Sequence, residues 1–176
     1  EVTEDADGKP ISVSFKGEQV PVNCVTHQFR KGHDDPPEYL ERDLCFVPHH
    51  GPLFETEDGA GETYWYSVRW TGMDPSREID AFRAYQTARS VDDQLKAIEL
   101  VGTGAQNMLF ASVEGDIAYS SHADIPIRGG DLYAHPPWMV LPGTGDYEWE
   151  GYVPAADMPR LKNPPQGFIV TANNYV

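Results

Sequence analysis

DPSREIDAFRAYQTARSVDDQLKAIELVGTGAQNMLFASVEGDIAYS, residues 74–120, decides the fold class, because two periodicities meet in it. Asp74-Pro75 reads as an N-cap followed by proline at the first helical position. It predicts a helix over residues 75–88, with Ile79, Phe82 and Gln86 on one face and Ala81 and Tyr85 beside them. Ser90 opens a second helix, with Asp92 and Asp93 in its first turn, where the helix dipole favours negative charge. Val91, Leu95, Ile98 and Val101 make its apolar stripe, and Gly102 and Gly104 end it. Residues 107–113, NMLFASV, are then nearly all apolar, as in a strand covered on both faces. Glu114-Gly115 is a two-residue turn, and residues 116–120 return antiparallel. Two adjacent helices beside antiparallel hairpins give an α+β fold.

Working outward, residues 1–9 are acidic and polar and read as a frayed start. Residues 11–15 alternate as a half-buried strand does, Lys16-Gly17-Glu18 is a hairpin turn, and residues 20–25 return with Pro21 at a sheet edge. RKGHDDPPEYLERD, residues 30–43, is charged and holds Pro36-Pro37. It reads as an exposed insertion loop over residues 30–44, followed by a short strand at residues 45–47. Residues 63–70 form a strong strand. From Ser121 to Pro165 the chain is dense in Gly, Pro and aromatics, as in a long ordered loop that packs by its own side chains. Residues 167–171, GFIVT, have strand character and end before Asn173-Asn174. With 176 residues and no repeat, one partial domain is expected.

The net charge of −15 disfavours a nucleic-acid partner, and there is no apolar run long enough to span a bilayer. Cys24 and Cys45 suit a disulfide in an oxidising compartment; two buried thiols fit as well. The six histidines make no catalytic or metal pattern. His27, His33 and His135 read as surface or structural residues. On a strand His49 and His50 would point to opposite faces. Ser120-Ser121-His122 lacks support for a triad, and Asp92, Asp93, Asp116 and Asp124 have ready roles in caps and turns. Trp65, Tyr66, Trp138 and Trp149 read as packing residues. Local chemistry therefore supplies no complete catalytic set, which leaves either a binding or scaffolding module or part of an enzyme.

An ordered series of blocks bears on that choice. HHGP (49–52), SVRWTGMDPSREIDAF (67–82), ARSVDD (88–93), AQNMLFASVEGDIAYS (105–120), PIRGG (126–130) and LPGTGDYEWEGYVPAADMPRLKNPPQGFIVTANN (141–174) together resemble the penicillin acylase (penicillin amidase) family, over about residues 47–174. The resemblance implies an N-terminal-nucleophile hydrolase with an αββα fold. A precursor cleaves itself into α and β chains, and the new N-terminal serine attacks an amide carrying an apolar acyl group. Acyl-homoserine-lactone and lipopeptide acylases share the family. The first asparagine of its closing Asn-Asn pair, matched by Asn173, lends a side-chain N–H to the oxyanion hole. Some members hold calcium, with one ligand a proline carbonyl matched by Pro137. The expected partners are a small acyl amide and the remaining parts of the precursor, with no nucleic acid and no membrane span. The expected location is periplasmic or extracellular. The chain opens on Glu1 and not on a nucleophile, so it reads as an internal β-chain piece, inactive by itself.

Overall fold

The computed structural model describes residues 1–57 and 59–172. The chain divides into two compact units, one formed by residues 1–70 and 128–148 and the other by residues 71–127 and 149–176.

The first unit holds two antiparallel sheets. β1 (Val2–Glu4), β2 (Pro10–Phe15) and β3 (Glu18–Pro21) form one. β4 (Asn23–Lys31), β5 (Glu38–Val47), β6 (Gly51–Glu57) and β7 (Thr63–Ser67) form the other. The β2–β3 turn is tight because Lys16 and Gly17 both take positive φ, 49° and 81°; a two-residue turn with both residues so placed matches the twist of the strands it joins. Pro21 lies on an edge strand, as expected.

Val13 of β2, Cys45 and Val47 of β5, and Leu53 of β6 form the core between the sheets, with Val2, Val20, Val22, Cys24 and Trp65 against it. Burying each such side chain contributes about 1.5–3 kcal/mol. Trp65 joins the sheets a second time, its indole N–H donating to Glu4 Oε1 at 2.6 Å. Cys24 and Cys45 are cross-strand neighbours joined by a disulfide. Within residues 128–148, Gly130 sits at φ 80° under the Tyr147 ring. A Cβ there would meet the ring at 2.5 Å, so no larger residue fits without moving it.

The second unit packs α1 (Glu78–Thr87) and α2 (Val91–Ala97) on a three-stranded sheet of order β12-β9-β8. Its strands are β8 (Gln106–Ala111), β9 (Ile117–His122) and β12 (Arg160–Lys162). β10 (Pro126–Arg128) and β11 (Trp149–Tyr152) pair separately. α2 follows its local signals closely. The Ser90 hydroxyl accepts from the Asp93 N–H while Asp93 Oδ2 accepts from the Arg89 N–H, a reciprocal cap. Val91 and Ile98 are buried and Leu95 is half-buried.

Several expectations are corrected. Residues 2–4 are not frayed but form β1. Residues 30–44 are not mainly loop: Arg30 and Lys31 end β4 and residues 38–44 belong to β5. Polar side chains pair across the ladder: Lys31 forms an ion pair with Glu38 at 3.8 Å, and Gln28, earlier in β4, donates to Glu41 at 2.8 Å. α1 begins at Glu78 and not at Pro75: Arg77 stands at its N-cap position, its side chain donating to Asp80 and making no capping bond, while the Asp74 carboxylate accepts from the Tyr152 hydroxyl. Its buried contact is Ala81, while Ile79 is 81 % exposed. The small side chain lets α1 lie close to α2. The strand at 63–70 stops at Ser67, and β8 is an edge strand with exposed residues, not one covered on both faces. The long connection after Ser121 is broken by β10, β11 and β12. Residues 168–172 join no ladder among the described residues, although their exposure alternates as in a strand.

The disulfide closes a loop with a sequence separation of 21 residues. Replacing Cys24 and Cys45 together with alanine is expected to cost about 3 kcal/mol of stability, read as a lowered denaturant midpoint. An unchanged midpoint would place the hold on this hairpin in its ladder alone.

Candidate functional site

The candidate oxyanion donor Asn173, with Asn174, lies outside the described residues. What the structure does describe is the run of chain that leads to it. β12 adds to β9 through the register Arg160↔Ser120, Leu161↔Tyr119 and Lys162↔Ala118. Ion pairs hold its charged ends, Arg160 to Glu99 at 2.7 Å and Lys162 to Asp92 at 2.8 Å; such half-exposed pairs contribute about 0–1 kcal/mol each. Asn163 then clamps the chain to the β8–β9 turn. Its Oδ1 accepts from the Ile117 N–H at 2.9 Å, its Nδ2 donates to Asp116 at 2.6 Å, and its own N–H donates to the Ile117 carbonyl at 2.9 Å. It does so at φ 46°, a conformation asparagine tolerates better than most residues. Pro164 is buried, a turn closes from the Gly167 N–H to the Pro164 carbonyl, and residues 168–172 run on toward Asn173.

A second anchor lies under α1. Glu78 Oε1 accepts from the backbone N–H groups of Gly102 and Thr103, both at 2.9 Å. A hydrogen bond from the Ser76 hydroxyl, then these amides, hold its carboxyl down to about 2. The sequence reading singled out neither Glu78 nor Asn163. Asn163 left one signal, an asparagine ahead of Pro-Pro; Glu78 left none, since its partners lie 24 and 25 residues away.

The remaining candidates separate into structural roles. His122 Nδ1–H donates to the Val101 carbonyl at 2.8 Å, and Ser120 and His122 are buried on one face of β9 with no bond between them, so no triad forms. Asp92, Asp93 and Asp116 serve the ion pair, cap and clamp described above, and Asp124 sits beside Gly102, whose carbonyl takes its N–H.

In the first unit His49 and His50 lie in the turn between β5 and β6. His49 stacks on Phe15 with centroids 3.8 Å apart, and His50 Nδ1 and Ser67 Oγ share a hydrogen bond of 2.8 Å. Burial lowers the affinity of both imidazoles for a proton, opposed by the nearby Glu148. Pro137 lies exposed in the turn closed by the Met139 N–H and Pro136 carbonyl. No group of three or more His, Cys, Asp or Glu side chains converges among the described residues. They do not by themselves make a calcium site, since calcium takes several oxygen ligands.

The penicillin amidase family model matches residues 2–176. The chain is 33 % identical over 130 residues to penicillin acylase 2 proenzyme from Pseudomonas sp. (strain SE83), a match covering 72 % of this chain and 16 % of that protein. It is 30 % identical over 139 residues to the acyl-homoserine lactone acylase QuiP from Pseudomonas fluorescens, covering 77 % and 16 %. The chain thus spans about a sixth of the length of these relatives. The fold is similar to that of a thermostable penicillin G acylase from Alcaligenes faecalis, with TM-score 0.71 and 22 % identity, covering 94 % of this chain and 28 % of that one.

Two parts of the acid response follow. His49 and His50 favour the neutral form when folded, so their contribution is complete above pH 6.5 and lost as pH falls below it. The Glu78 contribution is present above pH 4.5 and lost as pH falls toward about 2. Denaturation midpoints across acid pH are expected to show Glu78→Gln flattening only the lower limb and His50→Gln only the upper. Parallel curves for wild type and both variants would contradict this.

Proposed function

The chain belongs to the penicillin amidase family, and we propose on that footing that it is part of a longer acylase that hydrolyses an amide bond to an apolar acyl group. The family match along nearly the whole chain carries this reading, supported by named relatives that are acylases. The nucleophile is an N-terminal serine exposed by self-cleavage of a precursor, outside these 176 residues. Its own α-amine accepts the serine proton, directly or through a water, as the oxygen attacks the carbonyl. Negative charge then develops on the carbonyl oxygen.

Asn173 supplies one neutral N–H donor to that oxygen. A fixed amide stabilises the charge without transferring a proton, which suits a short-lived tetrahedral intermediate. On collapse the α-ammonium gives that proton to the leaving nitrogen, the C–N bond breaks, and the acyl-serine left behind is hydrolysed by water. The clamp at Asn163 and the buried Pro164 support this role, because a donor works only when its approach is held. The acyl group belongs to a penicillin, an acyl-homoserine lactone or a lipopeptide, and the acyl pocket draws mostly on residues beyond this chain. Calcium, if held through the Pro137 carbonyl, takes its carboxylates from elsewhere in the longer protein.

The location is periplasmic or extracellular. The Cys24–Cys45 disulfide supports an oxidising compartment, and no helix among the described residues is long and apolar enough to cross a membrane.

Intact mass and N-terminal sequencing of the expressed parent test the reading. Two chains are expected, the larger beginning with serine. A single uncut chain, or a junction without Ser, Thr or Cys, would leave a scaffold without chemistry. Asn173→Ala in the processed parent is expected to lower kcat by roughly a hundred- to a thousand-fold with processing intact. The 176 residues alone are expected to show no turnover.

A further inference from the structure

The four-stranded sheet of the first unit carries apolar side chains on both faces. Cys24, Cys45, Leu53 and Ser67 are aligned across the strands on the face that closes on β2. Side chains alternate along a strand, so their neighbours point the other way. There Val25 lies opposite Leu44, and Phe54 opposite Tyr66, with the last two rings stacked 5.6 Å apart. Val25 is 55 % exposed, Phe29 46 % and Tyr64 54 %. A sheet with one face in water normally alternates apolar with polar; this outer face does not.

The β4–β5 hairpin adds a second observation. Among the described residues β6 pairs with β5 only at Cys45, Phe46 and Val47, whereas the β4–β5 ladder runs on to Lys31↔Glu38. Residues 26–43 are therefore a two-stranded ribbon. Such a ribbon alone is at best marginally stable in water. The disulfide and the Lys9–Asp43 pair at 2.7 Å hold its base. Farther out, Phe29 faces its cross-strand partner Leu40, and His27 lies opposite Arg42 on the same face.

We propose that this outer face, from Phe46 and Tyr66 along the ribbon to Phe29 and Leu40, docks another segment of the same longer polypeptide. That segment presents apolar side chains to Val25, Leu44 and Phe54 and a carboxylate to His27 and Arg42. The inference rests on the reading that these residues belong to a longer acylase. The relatives have the chain to supply such a layer, since this one spans 16 % of the acylase proenzyme and 28 % of the solved acylase chain. A second copy fits less well. Each copy carries a net charge of −15, which opposes the stacking of two such faces.

Hydroxyl-radical footprinting of the intact parent, read by mass spectrometry, tests this. Phe29, Leu44, Phe54 and Tyr66 are expected to oxidise several-fold more slowly than in the denatured parent, equally at low and high protein concentration. Rates as fast as in the denatured chain would overturn the proposal. So would protection that grows with concentration, which would assign the face to a second copy. Arg42→Glu is expected to raise oxidation of Phe29 and Leu44 several-fold; unchanged rates would overturn the carboxylate contact. The acylase reading fails separately: an unprocessed, inactive parent with protected rings sinks that reading alone, and a processed, active parent with freely oxidised rings sinks this one alone.

Discussion

Small side chains on alternate residues of β9 set the geometry of the second unit. Ala118 and Ser120 are completely buried, with His122 third on the same face. Side chains this short let α2 and the turn after it approach the sheet, where Val91, Ala97 and Ile98 fill the contact. The rest follows in sequence. The turn brings the Val101 carbonyl to the His122 ring and the Gly102 and Thr103 amides to Glu78. Glu78 opens α1, so one carboxylate joins the start of one helix to the exit of the other. On its outer side β9 accepts β12, from which the chain proceeds to the Asn163 clamp.

Local signals were readable where both partners lie close in sequence. Ser90 and Asp93 cap within one turn, and the β2–β3 and β8–β9 turns connect adjacent strands. The ribbon at residues 26–43 was missed because its stabilising pairs are polar. Thr26–Asp43, Gln28–Glu41 and Lys31–Glu38 are cross-strand contacts, yet in one dimension they read as a charged loop around Pro36-Pro37. A period-2 apolar rule has no purchase on a ribbon in which apolar rows, Val25 with Leu44 and Phe29 with Leu40, are separated by three rows of polar or charged pairs.

The site was readable to a different degree. Asn173 has no local signal beyond its place after an apolar run; its assignment comes from the resemblance of whole blocks, and the family match supports the blocks and not the atom. The residues that anchor the second unit are the reverse case. Glu78 and Asn163 have well-defined partners in the structure, but those partners are too distant in sequence for spacing to suggest them.

Three other departures have one physical explanation. The sequence predicts that β8 is covered on both faces, yet Leu109 is 50 % exposed. It predicts an apolar side for α1, and Ile79 and Phe82 stand in solvent. It predicts a strand at residues 167–171, and the alternation is present at 168–172 without a ladder. In each case the apolar pattern is real and the neighbour that would bury it is not among the described residues. Hydrophobic periodicity records the environment for which a sequence is suited, and for a strand it also implies a hydrogen-bonding partner. On the reading that this chain belongs to a longer acylase, these patterns are matched to layers supplied by the rest of that polypeptide. The segment before Asn173 then gains its ladder and its fixed direction together. On the same reading, the clamp at Asn163 fixes one end of residues 164–172 and such a ladder holds the rest, so the approach to Asn173 draws on both parts of the protein.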